Sequence, residues 1–272
     1  MNVFQSIVLG LIQGCTEFLP VSSSGHLVLA KALMNVDTGG DISFEVFFHF
    51  GTLLSVLLVF KDDVLRILLE LVGVGRHPRG LRGRYSRSET LRLAVFIAAG
   101  SVPAGIVGYL FDEQVEQLFS DPKLVAVLLL VTGLILFLTR FARVSGDGKV
   151  SLKSAIGVGA AQAFAVLPGI SRAGTTISAG LIMGISQEQA ARFSFLLAVP
   201  VIFGATLLKS VHLVGASAAG LQIGPLVAGT IVAFASGYAA LKVLLGFLRR
   251  GTFSVFSYYC FAAGIAGILF IG

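Results

Sequence analysis

Glu17, Ser22, Ser23, Ser24 and His26 lie within a single ten-residue stretch, Glu17-Phe-Leu-Pro-Val-Ser-Ser-Ser-Gly-His26. A second polar group, Ser171, Arg172, Gly174 and Thr176, falls in Pro168-Gly-Ile-Ser-Arg-Ala-Gly-Thr-Thr176. Hydroxyls beside an acid and an imidazole are the parts of an activated nucleophile. A guanidinium presents a planar fork of donors that suits phosphate oxygens. Ser22, Ser23 and Ser24 follow Pro20, so they are natural N-caps for a helix that restarts there. Helix N-termini bind phosphate through free N–H groups and the positive end of the dipole. Together the two groups suggest a phosphate cradle. In it Ser22, Ser24, Ser171, Gly174 and Thr176 surround the anion and Arg172 clamps it.

Three routes to bond cleavage stay open. Ser23 could attack phosphorus while a base takes its proton, since His26 lies three residues on, along the same face of a helix. His26 could instead attack directly or activate water. Glu17 could orient His26, act as the base, or hold a divalent cation such as Mg2+ or Ca2+. The plainer reading makes the hydroxyls caps that bond helix carbonyls. That reading leaves Glu17, His26 and Arg172 without a reason to stand in apolar surroundings, where ionisable groups are costly and by default functional.

The surroundings are apolar because the chain is. Of 272 residues 56% are hydrophobic and 12% charged, about half the charged share of an average soluble domain. The mean hydropathy is +0.92. Long apolar runs at 91–111, 124–141, 192–211, 223–248 and 253–271 approach the ~20 residues that cross a bilayer as a helix. Alternating segments of roughly 10 residues, the mark of a membrane barrel, are absent from the sequence. The fold expected is an all-α polytopic membrane protein forming one domain, 1–272. The start of the chain lacks the basic region and cleavage site of a signal peptide. Cys15 and Cys260 both sit in apolar runs and read as inert thiols.

The net charge of +6 does not signal nucleic acid, because the basic residues concentrate in short loops. Lys61, Arg66, Arg76, Arg79, Arg82, Arg84, Arg87 and Arg92 occupy one; Arg140, Arg143, Lys149 and Lys153 a second; Lys242, Arg249 and Arg250 a third. Such loops face the cytoplasm and touch anionic lipid. Acidic Asp112, Glu113, Glu116 and Asp121 and the uncharged stretch 214–223 are placed outside. Segment 64–74 is too short to span and reads as a helix continued into the first basic loop.

This topology makes 154–185 leave the cytoplasm and return to it. Its arms, 154–167 and 174–185, are each too short to cross. Segment 1–36 does the same from outside, with its break at Pro20–Gly25, and 43–60 then crosses inward. The expectation is six transmembrane helices plus two re-entrant helix–loop–helix hairpins. Pairing Gln13 with Gln162 also aligns Ser22 with Ser171, Gly25 with Gly174 and Phe44 with Phe193. That register suggests an inverted-topology repeat of halves 1–141 and 142–272, with its site near the midplane. Glu45 and His49, one turn apart, read as structural or gating residues, and His77 and His212 as loop or interface residues.

The two polar stretches, with the Phe44-Glu-Val segment and Phe193-Ser-Phe-Leu-Leu-Ala-Val-Pro200, resemble the bacterial undecaprenyl-diphosphate phosphatases of the bacitracin-resistance type over the whole chain. The resemblance implies hydrolysis of undecaprenyl diphosphate to the monophosphate carrier lipid used for peptidoglycan and other cell-wall polymers. It also implies a plasma-membrane enzyme helped by divalent cations, with its site open to the outer face. A polyprenyl diphosphate is then the substrate, membrane lipids the surroundings, nucleic acid no partner, and a homodimer stays open. By position, the resemblance makes Glu17, Ser22, Ser23, His26, Ser171, Arg172 and Thr176 the site. This chain has Gln13 where the family often has Glu, and Ala173 where it has Ser, so one acid of a paired cation site is missing. A transporter or lipid flippase is the alternative that inverted repeats with broken helices permit. The acid-phosphatase-like lipid phosphatases are excluded. His26 precedes any Lys-x6-Arg-Pro segment, and no His follows Arg172 at their spacing.

Overall fold

The computed structural model describes residues 1–36, 43–76, 81–144, 147–215, 223–249 and 253–271; the side chains of residues 43, 81 and 208–215 are not described. The described residues form helices and no strand. Two helical hairpins carry the polar stretches. The first is α1 (Val3–Phe18) and α2 (Ser23–Leu33), the second α9 (Leu152–Phe164) and α10 (Arg172–Ile182). The breaks fall at Leu19-Pro-Val-Ser22 and Ala165–Ser171, where Pro20 and Pro168 have no N–H to give to a helical ladder and Gly169 takes φ +86°. The arms of the second hairpin begin two residues earlier than the sequence suggests, because the hydroxyls of Ser151 and Ser171 cap them, and end three residues earlier.

Around the hairpins stand α3 (Ser43–Val59), α6 (Glu89–Leu110), α8 (Pro122–Leu138), α11 (Gln187–Gly215), α12 (Ile223–Leu248) and α13 (Phe256–Phe270). Five of these six are long and apolar enough to cross a membrane. The sixth, α3, has 17 residues. At 1.5 Å per residue it is about 26 Å long, a little short of the ~30 Å hydrocarbon core. Its ladder carries on past Phe60 into α4 (Lys61–Arg76), which extends the expected 64–74 helix in both directions. On α4, Leu65, Leu68, Leu69 and Val72 form an exposed apolar stripe. The opposite face holds Asp63, paired with Arg192, and Glu70, paired with Arg84 of α5 (Leu81–Arg87). The acidic connector folds as α7 (Asp112–Leu118). His77 and segment 216–222 lie outside the described residues, as does the side chain of His212.

The hairpins pack across the molecule. α1 lies against α12, and α9 against α6. Glycines permit both approaches: a Cβ on Gly10 would meet the Gly229 carbonyl, and one on Gly159 the Gly100 carbonyl. In the register that pairs Gln13 with Gln162, Gly10 corresponds to Gly159. The caps keep the same register. Asn2 and Ser151 each close a capping box, with Gln5 and Ser154, at the start of α1 and α9. Ser22 and Ser171 each accept from the N–H of a glycine three residues on, Gly25 and Gly174. α2 and α10 are each 11 residues long.

The main core joins Phe18, Phe60, Phe193, Phe195, Ile177 and Leu241 from both halves. Outside it, Val102, Ile106, Leu134, Val243 and Leu269 are exposed. In water such faces would be a liability; on helices of this length they are lipid-facing surface.

Candidate active site

The two breaks meet. Gly169 donates its N–H to Ser24 Oγ at 3.4 Å. Thr132 of α8 fixes the second break from behind: its hydroxyl donates to the Gly169 carbonyl at 2.8 Å and accepts from the Ser171 N–H at 3.0 Å. Gly169 has φ +86°, and a Cβ there would strike the Val125 carbonyl, so this turn requires glycine.

Glu17, near the end of α1, is the hub. Its Oε1 accepts from Arg172 Nη2 at 2.8 Å, across the two hairpins. Its Oε2 accepts from Ser23 Oγ at 2.6 Å and from Gln13 Nε2 at 2.9 Å. A carboxylate buried in this way needs such partners. The Ser23 hydroxyl is the first side chain of α2 and points at that acid. Arg172, the first residue of α10, uses one side of its guanidinium on Glu17; its Nη1 is buried and has no partner among the described residues.

A cavity of about 270 Å³ lies over this cluster, lined by Glu17, Ser22, Ser23, Ser24, Ser171 and Arg172. Gln162 lines it as well, 2% exposed, with neither amide atom paired among the described residues. The rest of the lining is largely apolar, with Val46, Ala104, Phe119, Val201 and Ile202. Ala104 and Val201 directly follow Pro103 and Pro200, each inside its helix. At the mouth Glu45 pairs with Lys31 of α2 at 2.6 Å.

The expected residues separate into three groups. Glu17, Ser22, Ser23, Ser24, Ser171 and Arg172 converge on the cavity. Thr176 and Gly174 do not line it. The Thr176 hydroxyl donates to the Arg172 carbonyl and contacts Ser194 Oγ, and the Gly174 N–H is taken by the Ser171 cap. His26 is turned away. Its Nδ1–H donates to the Ser22 carbonyl at 2.8 Å, and its Nε2 accepts from the Tyr259 hydroxyl at 2.8 Å, the two rings stacked. Ser22 has φ +69°, a conformation costly for serine, and the His26 ring and backbone N–H both hold its carbonyl.

The imidazole that does face the cavity is His49 of α3. Its Nε2 lies 3.8 Å from Glu17 Oε2. The sequence carried a signal for it, an ionisable residue inside an apolar span, but His49 and Glu17 are on different helices and their pairing is not local.

These residues do not by themselves build a divalent-cation cage. Both oxygens of Glu17 are engaged, and the described residues contain no cluster of three or more His, Cys, Asp or Glu able to hold a metal.

A family profile described as "Bacitracin resistance protein BacA" matches residues 6–266. The chain belongs to this family. It is 45% identical over 271 residues to a Salinibacter ruber protein, covering 98% of this chain and 99% of the relative. A Desulfosudis oleivorans protein is 47% identical over 269 residues, 97% of each chain. One from Halothermothrix orenii is 42% identical over 276 residues, 100% of this chain and 99% of the other. All three relatives are named undecaprenyl-diphosphatase. With its long apolar helices, this member of the BacA family is a multi-pass membrane protein.

Proposed function

We propose that the protein hydrolyses undecaprenyl diphosphate to undecaprenyl phosphate and inorganic phosphate, as its full-length relatives are named for doing. The observation that carries the chemistry is the Ser23 hydroxyl bonded to Glu17 Oε2, with an unpaired Arg172 Nη1 beside it in the same cavity. Buried donors are almost always paired, and the terminal phosphate supplies the missing acceptors for Arg172 Nη1 and Gln162 Nε2. The starts of α2 and α10 add N–H groups and dipoles aimed at the same anion. The prenyl chain leaves along the apolar wall of Val46, Ala104 and Val201.

In this reading Ser23 Oγ attacks the terminal phosphorus and its proton passes to Glu17. The bond to the bridging oxygen breaks, and its electron pair leaves with undecaprenyl phosphate. Water then cleaves the phosphoserine. Arg172 holds the equatorial oxygens, where charge collects in a loose transition state. His26 is a positioning residue: it pins the Ser22 turn that aims Ser23. Mg2+ or Ca2+ would arrive on the diphosphate, which supplies the oxygens such ions prefer.

We place the protein in the plasma membrane, the Arg-rich loops inside and the cavity opening outward. The two halves are read as an inverted repeat, supported by the matching caps and glycine contacts of the two hairpins. A carrier that moves the anion intact is not favoured, since an acid bonded to a serine hydroxyl does more than bind phosphate. Purified protein in detergent should release phosphate from a polyprenyl diphosphate, and an acid quench should trap phosphoserine on Ser23. Wild-type turnover in Ser23→Ala would sink the reading.

A further inference from the structure

The hydrolysis of a phosphoserine needs a base for the attacking water, and Glu17 holds the Ser23 proton at that moment. His26 cannot serve, because both of its ring nitrogens are engaged and it does not line the cavity. His49 has the opposite arrangement. Its Nδ1 lies 2.7 Å from the Glu45 carbonyl oxygen. A carbonyl accepts and never donates, so Nδ1 carries the hydrogen and neutral His49 presents the Nε2 lone pair. That nitrogen faces the cavity 3.8 Å from Glu17 Oε2, beyond direct hydrogen-bond reach, beside the oxygen that Ser23 also contacts.

Glu17 of α1 is a charged neighbour of His49 and is itself bound to Arg172 of α10. Glu45, one turn earlier on α3, is paired with Lys31 of α2. The α11 wall opposite, Val201, Ile202, Ala205 and Thr206, is uncharged. A water or phosphate oxygen can therefore touch Nε2 and the Glu17 carboxyl together, as a gap of this length invites.

We propose that His49 is a catalytic residue of the second half-reaction, the base for the hydrolytic water; this rests on the Ser23 phosphoenzyme reading above. The water oxygen bonds to phosphorus as one of its protons moves to His49 Nε2. The Ser23 Oγ–P bond breaks, and Oγ takes back its proton from Glu17. The imidazolium then gives its proton to the departing phosphate or to solvent, and the site returns to its starting state.

The test uses purified full-length protein, a water-soluble short-chain polyprenyl diphosphate, and His49→Gln and His49→Asn variants checked for a single gel-filtration peak. We expect steady-state kcat to fall about 100-fold or more, the scale of a lost general base, with KM falling alongside it and kcat/KM changed less than about threefold, because the first half-reaction is untouched. One equivalent of polyprenyl phosphate should still appear in a rapid first phase. The quenched variants should hold phosphoserine on Ser23 at close to one per chain. Wild-type turnover in both variants overturns the proposal. So does loss of the rapid phase together with turnover, which is what a merely structural histidine would give. If wild-type protein yields no phosphoserine and Ser23→Ala still turns over, the Ser23 reading falls and His49 with it. An intact wild-type phosphoserine with none accumulating in the variants removes His49 alone.

Discussion

Glu17 accepts from Arg172 on one oxygen and from Ser23 and Gln13 on the other, so each of these neighbours is tuned by the rest. Arg172→Lys keeps the charge but loses the fork that reaches Glu17 and a phosphate at once. We expect kcat/KM for phosphate release to fall about 100-fold, with most of the loss in kcat if the second arm acts in the transition state. An unchanged kcat would mean the guanidinium merely binds. Gln13→Glu tests the missing acid. It replaces the amide donor 2.9 Å from Glu17 with a second carboxylate, and two such groups must share a proton or a cation. EDTA should therefore depress turnover of this variant far more than wild type, with Mg2+ or Ca2+ restoring it; equal sensitivity would show that position 13 does not set cation use. Ser23, Glu17 and Arg172 were legible because polar groups in an apolar run carry their own signal. The pairing of His49 with Glu17, the place of Gln162 in the cavity and the turning-away of His26 were not, since each depends on which helix faces which, and residue spacing holds no such information.

At the scale of elements, the break positions could be read from Pro and Gly, while the helix starts shifted to whichever hydroxyl could cap them. What the sequence does not mark is which of its many glycines are contacts. Gly159 of α9 lies against the Gly100 carbonyl of α6, whereas a Cβ on Gly105 of α6 meets nothing within 4 Å. By helix propensity alone both Gly→Ala changes would stabilise, by about 1 kcal/mol. The contact reverses the sign at one of them. Gly159→Ala pushes α9 off α6, and α9 leads directly to the turn that aims Arg172. It should lower the melting temperature in detergent by several degrees and reduce turnover, while Gly105→Ala leaves both at or above wild type. Equal melting temperatures for the two variants would show that α9 is free to shift, and that the close approach does not hold the hairpin.

For the whole molecule, the direction in which the cavity opens follows from two ends that differ in charge. Phe119, just beyond acidic α7, and Glu45 line the cavity, placing its mouth at that end. Asp63–Arg192 and the Arg-bearing α4 and α5 are joined at the other end of α3 and at the start of α11. By the positive-inside rule we propose that the Arg-bearing end faces the cytoplasm; the diphosphate would then enter from outside, with its chain in the outer leaflet. In a background with Cys15 and Cys260 replaced, Glu113→Cys on α7 should react with a membrane-impermeant maleimide in intact cells, and Ser86→Cys on α5 only after the membrane is opened. The reverse pattern would turn the molecule over and make the enzyme a consumer of cytoplasmic-leaflet lipid, with the cavity and its chemistry unchanged.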